Sequence, residues 1–480
     1  MGGKKGVSLI RTLRLAAWVA VVLILRGARA ADRPNIILIM ADDIGWEAIG
    51  CYGAEDYTTP HLDQMADDGM RFHHCYATPL CTPSRVQIMT GKYNFRNYTH
   101  FGYLAPDERT FAHKLKEAGY HTAIAGKWQL NGLANRLPGH DSNQRPYEAG
   151  FDEYLLWQLT RGKGVQEGGG ERYWSPVLEH NGRLLSSEDN ATKYGPDMMC
   201  EFVCDFMQRH QDGPFFIYYP MLLVHDPFVP TPRTMGQRPR SHDANKAVAG
   251  ERKENFVAMV AYMDEIVGRI RAKVAELGIA HNTLILFTAD NGTNRRITST
   301  WNGMTIPGGK GLMTDMGTHV PLIAVWPDHI ASGQTSDLLV DFTDVYPTLA
   351  QVAGMELHPS DPRDGISFLP TLLGHSQVGR QWVFCHYQPY WGQEPGQFIR
   401  TQRFKLYRDG RFFDVGGGDL FEQHDLRWGL AGIEGEAARK QLAALIAEAP
   451  PAPVNKGSRD TRVRPVYPDW SRFPRHQQPR

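Results

Sequence analysis

The chain has 480 residues, 42% hydrophobic and 22% charged, which are ordinary proportions for a globular protein. Lys plus Arg and Asp plus Glu both number 52, so the formal net charge is zero. Global charge therefore gives no support for nucleic-acid or membrane binding, and an anionic ligand would have to be held by a local cluster.

In chain order, residues 1–30 read as an export signal. Lys4, Lys5, Arg11 and Arg14 make a positive start, residues 16–25 an apolar run, and Ala28-Arg29-Ala30 a small-residue cleavage site before Ala31. The apolar run is short of the roughly 20 residues that cross a bilayer. A cleaved signal is preferred to a retained anchor, and no second hydrophobic run follows, so the mature protein is expected to be secreted or periplasmic with no stable membrane span.

Residues 35–40, 122–125, 215–223, 283–288 and 320–326 are short apolar runs rich in branched or aromatic residues, and they predict buried strands. Between them, 110–118 and 254–277 carry apolar residues at three- and four-residue steps and end at Gly119 and Gly278, which predicts helices. The alternation predicts an α/β fold, a mostly parallel central sheet flanked by helices. Sites in such sheets lie beyond the carboxyl ends of the strands. Cys200 and Cys204 could share a helical face but lack the spacing of a structural zinc site. With only six cysteines, export would permit one or two disulfides and no disulfide-built scaffold. From residue 381 the pattern changes to short strands at 382–387, 397–400, 405–407 and 411–414, followed by a helix at 434–447. The expected organisation is a catalytic α/β domain over 31–380, a smaller antiparallel subdomain over 381–449, and a Pro- and Arg-rich extended or disordered tail over 450–480.

Three segments carry chemistry. Asp42-Asp43 follows the first strand, and two adjacent carboxylates there call for a compensating divalent cation; the bland alternative is a solvated turn. Asp290-Asn291 follows another strand and pairs a carboxylate with an amide oxygen, a combination suited to a hard cation such as calcium. Asn291-Gly292-Thr293 also matches a glycosylation sequon, which is discounted for a residue at the mouth of a site. The third segment, Cys81-Thr82-Pro83-Ser84-Arg85 leading to Thr90-Gly91, is the most specific.

Cys81-x-Pro83-Ser84-Arg85 with Thr90-Gly91 resembles the signature of the formylglycine-dependent sulfatases of the alkaline-phosphatase superfamily. Further matches run along most of the chain: Asp42-Asp43 after Asn35-Ile36, Gly126-Lys127-Trp128, His225-Asp226-Pro227, Gly309-Lys310-Gly311, and Arg400-Thr401 near the end. The resemblance implies oxidation of Cys81 to formylglycine by a formylglycine-generating enzyme. It implies a Ca2+ site (Mg2+ the alternative) made by Asp42, Asp43, Cys81, Asp290 and Asn291, with Arg85, Lys127, His225 and Lys310 as further catalytic groups. The expected substrate is a sulfated small molecule or saccharide. The alternatives are a phosphonate or phosphate ester hydrolase of the same superfamily, or an impaired binder of sulfated ligands. Two departures stand out. Gln129 occupies the position of the family's usual histidine, where an amide can bind the diol but accept no proton. Residues 314–321 lack the usual Glu-Gly-Gly and Arg, with Asp315 and His319 expected to keep the hydrogen bonds. Trp157, Tyr173, Trp174, Trp301, Tyr387, Tyr390 and Trp391 could line a sugar cleft, though each is more often a packing residue.

Overall fold

The computed structural model describes residues 33–162, 172–235, 252–357, 363–375, 379–389, 395–417 and 419–450. The expected export signal, the tail beyond 450, Tyr390 and Trp391 lie outside them. Among the described residues, no helix is long and apolar enough to cross a membrane.

The strands are β1 (Asn35–Ala41), β2 (Met70–Tyr76), β3 (His121–Lys127), β4 (Glu153–Trp157), β5 (Leu178–His180), β6 (Arg183–Leu185), β7 (Phe215–Pro220), β8 (Thr283–Ala289), β9 (Thr298–Trp301), β10 (Met304–Pro307), β11 (His319–Val325) and β12 (Gln334–Asp341). Ten of them form one sheet in the order β12-β2-β11-β8-β1-β7-β3-β4-β5-β6, with β9 and β10 a separate hairpin. The run β8-β1-β7-β3-β4 is parallel, and β11 is antiparallel to both β8 and β2. Every residue of β1 and β8 is buried, as expected for central strands covered on both faces.

The covering helices are α1 (Pro60–Asp67), α2 (Cys81–Thr90), α3 (Phe111–Glu117), α4 (Gly195–Arg209), α5 (Arg252–Glu276) and α6 (Val345–Val352). They pack in two groups, α1 and α4 on α5, and α2, α3 and α6 on one another. Helix α5 buries Phe256, Met259, Met263, Ile266, Ile270 and Val274 along one stripe, the periodicity legible in the sequence. Helix α3 starts where expected because the Thr110 hydroxyl accepts from Ala112 N at 3.1 Å.

The antiparallel sheet β13 (Val383–Tyr387), β14 (Gly396–Arg400), β15 (Phe404–Tyr407) and β16 (Phe412–Asp414) carries helix α7 (Gly432–Glu448) on its face. Phe384, Ile399, Phe404, Phe412, Leu442 and Ile446 make its core, which Tyr93 and Phe95 join from the larger unit. A buried ion cluster ties the two. Arg400 pairs with Asp315, and Lys405 Nζ donates to Glu422 Oε1 at 2.7 Å and Met313 O at 2.6 Å. Asp315 thus serves the junction, while His319 stacks on Trp46 at 4.5 Å with its Nε2 2.8 Å from His73 O. Both residues keep hydrogen bonds, and those bonds are structural.

Two expectations are corrected. The strand expected over 215–223 ends at Pro220. Leu222 and Leu223 are buried because they line the layer under the site. Three of the aromatic residues placed in irregular segments, Trp157, Trp301 and Tyr387, lie in strands; Trp157, Tyr173, Trp174 and Tyr387 are buried, as the preferred packing reading has it, and Trp301 is half-buried.

Candidate active site

The expected residues converge beyond the carboxyl ends of β1, β3, β7 and β8. Asp42 and Asp43 follow β1, and the bend that aims both carboxylates at one point puts Asp43 at φ 63°. Asp42 N donates to Leu223 O at 2.8 Å and Asp43 N to Asp290 Oδ1 at 3.1 Å, which ties the end of β1 to the segment after β7 and to the end of β8. Gly292 is needed here because a Cβ would meet Met316 O at 1.8 Å. Lys127 ends β3 behind Gly126, whose φ of 126° and contact with Pro220 O (1.9 Å from an added Cβ) admit no side chain. Lys310 lies in the loop after β10, with its backbone N donating to Thr293 O at 2.9 Å.

Cys81 is the first residue of α2, a buried helix whose N-terminal end favours negative charge. The Ser84 hydroxyl donates to Thr78 O at 3.0 Å and accepts from Thr78 N at 3.1 Å, folding the preceding loop onto the first turn. Arg85, one residue on, reaches across the site. Its guanidinium donates to Asp290 Oδ2 at 3.0 Å and Lys127 O at 3.0 Å, and lies 3.7 Å from Asp42 Oδ2.

The electrostatics are dense. Lys127 Nζ donates to Asp42 Oδ2 at 2.7 Å and Lys310 Nζ to Asp43 Oδ2 at 2.6 Å. Burial pushes the Asp42 carboxyl up, but Lys127, His225, Arg85 and Lys310 outweigh it and hold it well below the usual range. Asp290 is pushed up to about 7 by burial and then by the neighbouring Asp42 charge. Three carboxylates thus face Arg85, Lys127 and Lys310, and their formal charges cancel. Asp42 Oδ1 and Asn291 Oδ1 are buried with no hydrogen-bond partner. Leaving such atoms unsatisfied costs about 1–3 kcal/mol each, and a hard cation would satisfy both, so the oxygen donors fit one. Asn291 is fully buried, consistent with discounting its sequon. His225 Nε2 falls in a cluster with Asp42 and Asp43, all donor atoms lying within 4.8 Å.

His225 completes the ring. Its Nδ1 lies 2.7 Å from Asp226 O and 3.0 Å from Asp226 Oδ1, which favours a proton there. Nε2 is then left to accept from Lys310 Nζ at 3.1 Å. Burial lowers its pKa, with Lys310 adding to the effect and Asp43 opposing it. Gln129, at φ 51°, offers Oε1 to the Cys81 thiol at 3.6 Å, so the residue that departs from the family pattern does face the expected nucleophile. Burial raises the Cys81 pKa despite Lys127 and Lys310. The encoded thiol is therefore held neutral, and a neutral thiol is a poor nucleophile.

Over residues 34–355 the chain matches the sulfatase family, and over 309–443 the C-terminal region of N-sulphoglucosamine sulphohydrolase. The chain belongs to the sulfatase family. It is 32% identical to arylsulfatase A of Bos taurus over 420 residues, covering 82% of this chain and 78% of that one. It is 32% identical to N-acetylgalactosamine-6-sulfatase of Rattus norvegicus over 409 residues, covering 76% of this chain and 71% of that one. Among solved structures, Ps i-CgsB in complex with k-i-k-neocarrahexaose matches with a TM-score of 0.67 at 25% identity, covering 86% of this chain and 93% of that one. The sulfatase is a sulfuric ester hydrolase, and its central sheet with the separate antiparallel sheet is the alkaline-phosphatase-like arrangement expected.

Sequence reasoning named two residues without seeing the roles that the fold of the sulfatase gives them at this end of the sheet. Asp226 orients the His225 ring, and the Tyr173 hydroxyl donates to the carbonyls of Leu222 and His225 at 2.9 and 2.5 Å. The one available signal was that Asp226 adjoins His225.

Proposed function

We propose that this sulfatase cleaves sulfate esters with a formylglycine made from Cys81 and a calcium ion held by Asp42, Asp43, Asp290, Asn291 and the modified residue 81. The single observation that carries the reading is the pair of buried, partnerless oxygens, Asp42 Oδ1 and Asn291 Oδ1, set among Arg85, Lys127 and Lys310 beside Cys81. An all-oxygen donor set favours calcium, with magnesium the alternative. When bound, the cation supplies positive charge opposite the sulfuryl oxygens and acidifies the attacking hydroxyl.

Residue 81 attacks as the hydrated aldehyde, a geminal diol. One hydroxyl oxygen, giving up its proton to solvent, bonds to the ester sulfur, and the bond from sulfur to the alcohol oxygen breaks. Lys127, Lys310 and Arg85 stabilise the charge on the sulfuryl oxygens, and His225, sharing a proton with Lys310, protonates the departing alcohol. The second hydroxyl then gives its proton to water, the bond from carbon to the sulfate oxygen breaks, sulfate leaves, water rehydrates the aldehyde, and the His225–Lys310 pair regains its proton from solvent. An unmodified thiol offers no such elimination. Gln129 positions the diol, and the maturation partner is a formylglycine-generating enzyme.

The substrate class we assign is a sulfated saccharide or small sulfate ester, a reading supported by the similarity to N-acetylgalactosamine-6-sulfatase and to Ps i-CgsB in complex with k-i-k-neocarrahexaose. We place the protein outside the cytoplasm, secreted or periplasmic; N-terminal sequencing of exported protein should begin at Ala31. The test of function is a panel of aryl sulfates, sulfated sugars and phosphate esters given to matured enzyme. Sulfate monoesters should turn over fastest. Preference for a phosphate or phosphonate ester would overturn the assignment.

A further inference from the structure

Arg172 is 3% exposed, yet its Nε and Nη1 are buried with no hydrogen-bond partner, and among the described residues it has no ion pair. The other buried cations, Arg85, Lys127, Arg145, Arg380, Arg400 and Lys405, each pair with a carboxylate. A buried charge without a counter-ion is costly, and removing one partner of a buried pair is correspondingly destabilising. Among the described residues no carboxylate touches Arg172, Asp226 acting on it only from beyond ion-pair distance, so its buried nitrogens are open to an anion from outside the chain.

Its surroundings are built and lie beside the reaction centre. The guanidinium carbon is 4.0 Å from the centroid of the Trp157 ring, a stacking geometry that fixes the plane of the fork. Trp157 is the register partner of Lys127 across β3 and β4. Trp128 N donates to Trp157 O at 3.0 Å and Gln129 N to Gln158 O at 3.3 Å, so Trp157 and Gln158 flank the segment that carries Lys127 and Gln129. Gln158 is at φ 59°, and its Oε1 is a second buried atom with no partner. Tyr173, the next residue after Arg172, holds the His225 carbonyl. The Arg172 backbone is pinned as well: a Cβ on Gly195 would meet Arg172 O at 2.1 Å. His225 is lowered chiefly by burial and Asp226 chiefly by its hydrogen bond to His225, and the Arg172 charge adds to both, within electrostatic reach of them.

We propose that Arg172, backed by Trp157 and flanked by Gln158, binds a second anionic group of the substrate, so that the sulfatase prefers a sulfate ester whose skeleton carries another sulfate or a carboxylate. The inference rests on the sulfate-ester reading above. The guanidinium fork meets the second anion, and the Gln158 carbonyl accepts from a neighbouring hydroxyl or amide N–H of the same skeleton. Arg172 is a specificity residue and takes no part in breaking the ester.

The test compares matured wild type with Arg172→Gln and Arg172→Lys on 4-nitrophenyl sulfate, a singly sulfated hexosamine, its 2-N-sulfated counterpart, and a sulfated disaccharide ending in a uronate. Arg172→Gln should lose roughly 10- to 100-fold in kcat/KM on whichever doubly anionic substrate the wild type prefers, the range for a lost charged hydrogen bond, mainly through KM. It should stay within about threefold on the aryl sulfate, and Arg172→Lys should recover part of the loss. The disulfate and uronate arms distinguish the source of the second anion. Calorimetric binding of the same two ligands to Cys81→Ala, with and without Arg172→Gln, reads the contact without turnover. Without ligand, Arg172→Gln should raise the melting temperature, because it removes an unpaired buried charge, whereas a structural arginine would lower it. An equal loss on every substrate, no preference for a doubly anionic ligand, or a lowered melting temperature would each overturn the proposal. Wild type inert toward all sulfates, but still binding the disulfate through Arg172, would instead count against the sulfate-ester reading alone.

Discussion

Glu47 offers a test of the electrostatics beneath the site. It lies in a short turn after the Asp42-Asp43 bend, is 1% exposed, and accepts from the Thr293 hydroxyl through Oε1 while Oε2 has no partner. Burial pushes its carboxyl up from the ordinary 4.5 to about 7, against the pull of the Thr293 hydrogen bond. Below pH 4.5 both folded and unfolded chains hold the proton, and the group costs nothing. Between pH 4.5 and 7 the unfolded chain ionises while the folded one does not, so stability falls. Above pH 7 both are ionised and the loss is complete. The step from 4.5 to about 7, at about 1.36 kcal/mol per pH unit, makes that loss about 3 kcal/mol. Glu47→Gln removes the titration. Its new amide donor must occupy the place where Oε2 has no partner, so the variant could be weaker than wild type in absolute terms at every pH. The readout is therefore the difference between two pH values. Denaturant unfolding in the presence of a chelator, at pH 4.5 and pH 8, should show the variant gaining about 3 kcal/mol on wild type between them. An equal difference at both pH values would refute the reasoning, because it would mean that Glu47 ionises normally where it lies.

The remaining predictions concern the reaction. If Gln129 only positions the diol, Gln129→Ala should lose about tenfold in turnover, the scale of one hydrogen bond, whereas loss of a general base would cost roughly 10²–10⁴-fold. His225→Ala should slow sulfated sugars far more than activated aryl sulfates, whose alcohols leave without a proton; equal slowing, with sulfated enzyme accumulating, would assign His225 to the elimination step. Elemental analysis of active enzyme should find about one calcium or magnesium per chain, removed together with activity by a chelator. Full occupancy by zinc, lost only with activity, would contradict the oxygen-donor account.

Much of this site was legible in the sequence because its residues stand immediately after strands that every layer of the fold buries. β1 and β8 are mostly apolar and fully buried, and Asp42-Asp43 and Asp290-Asn291 are the first polar residues beyond their ends. The outer strands were not legible. β2 reads Met-Arg-Phe-His-His-Cys-Tyr, and β12 begins Gln-Thr-Ser-Asp; both lie at the far end of the sheet, where polar side chains reach solvent and the apolar signal is broken. Leu222 and Leu223 misled for the opposite reason, since they are apolar through burial under the site and belong to no strand. The buried aromatics show the same ambiguity: composition cannot tell a ring that packs from one that lines a cleft. Arg172 was hidden most deeply, because an arginine between charged and aromatic neighbours announces nothing until its lack of a counter-ion is visible.

The account turns on residue 81. Enzyme made together with a formylglycine-generating enzyme should be digested and the peptide spanning Cys81 weighed. The account predicts loss of the thiol and appearance of the aldehyde or its hydrate, in proportion to specific activity, with Cys81→Ala folded and inactive. Full activity from protein whose Cys81 peptide carries only the unmodified thiol would contradict it.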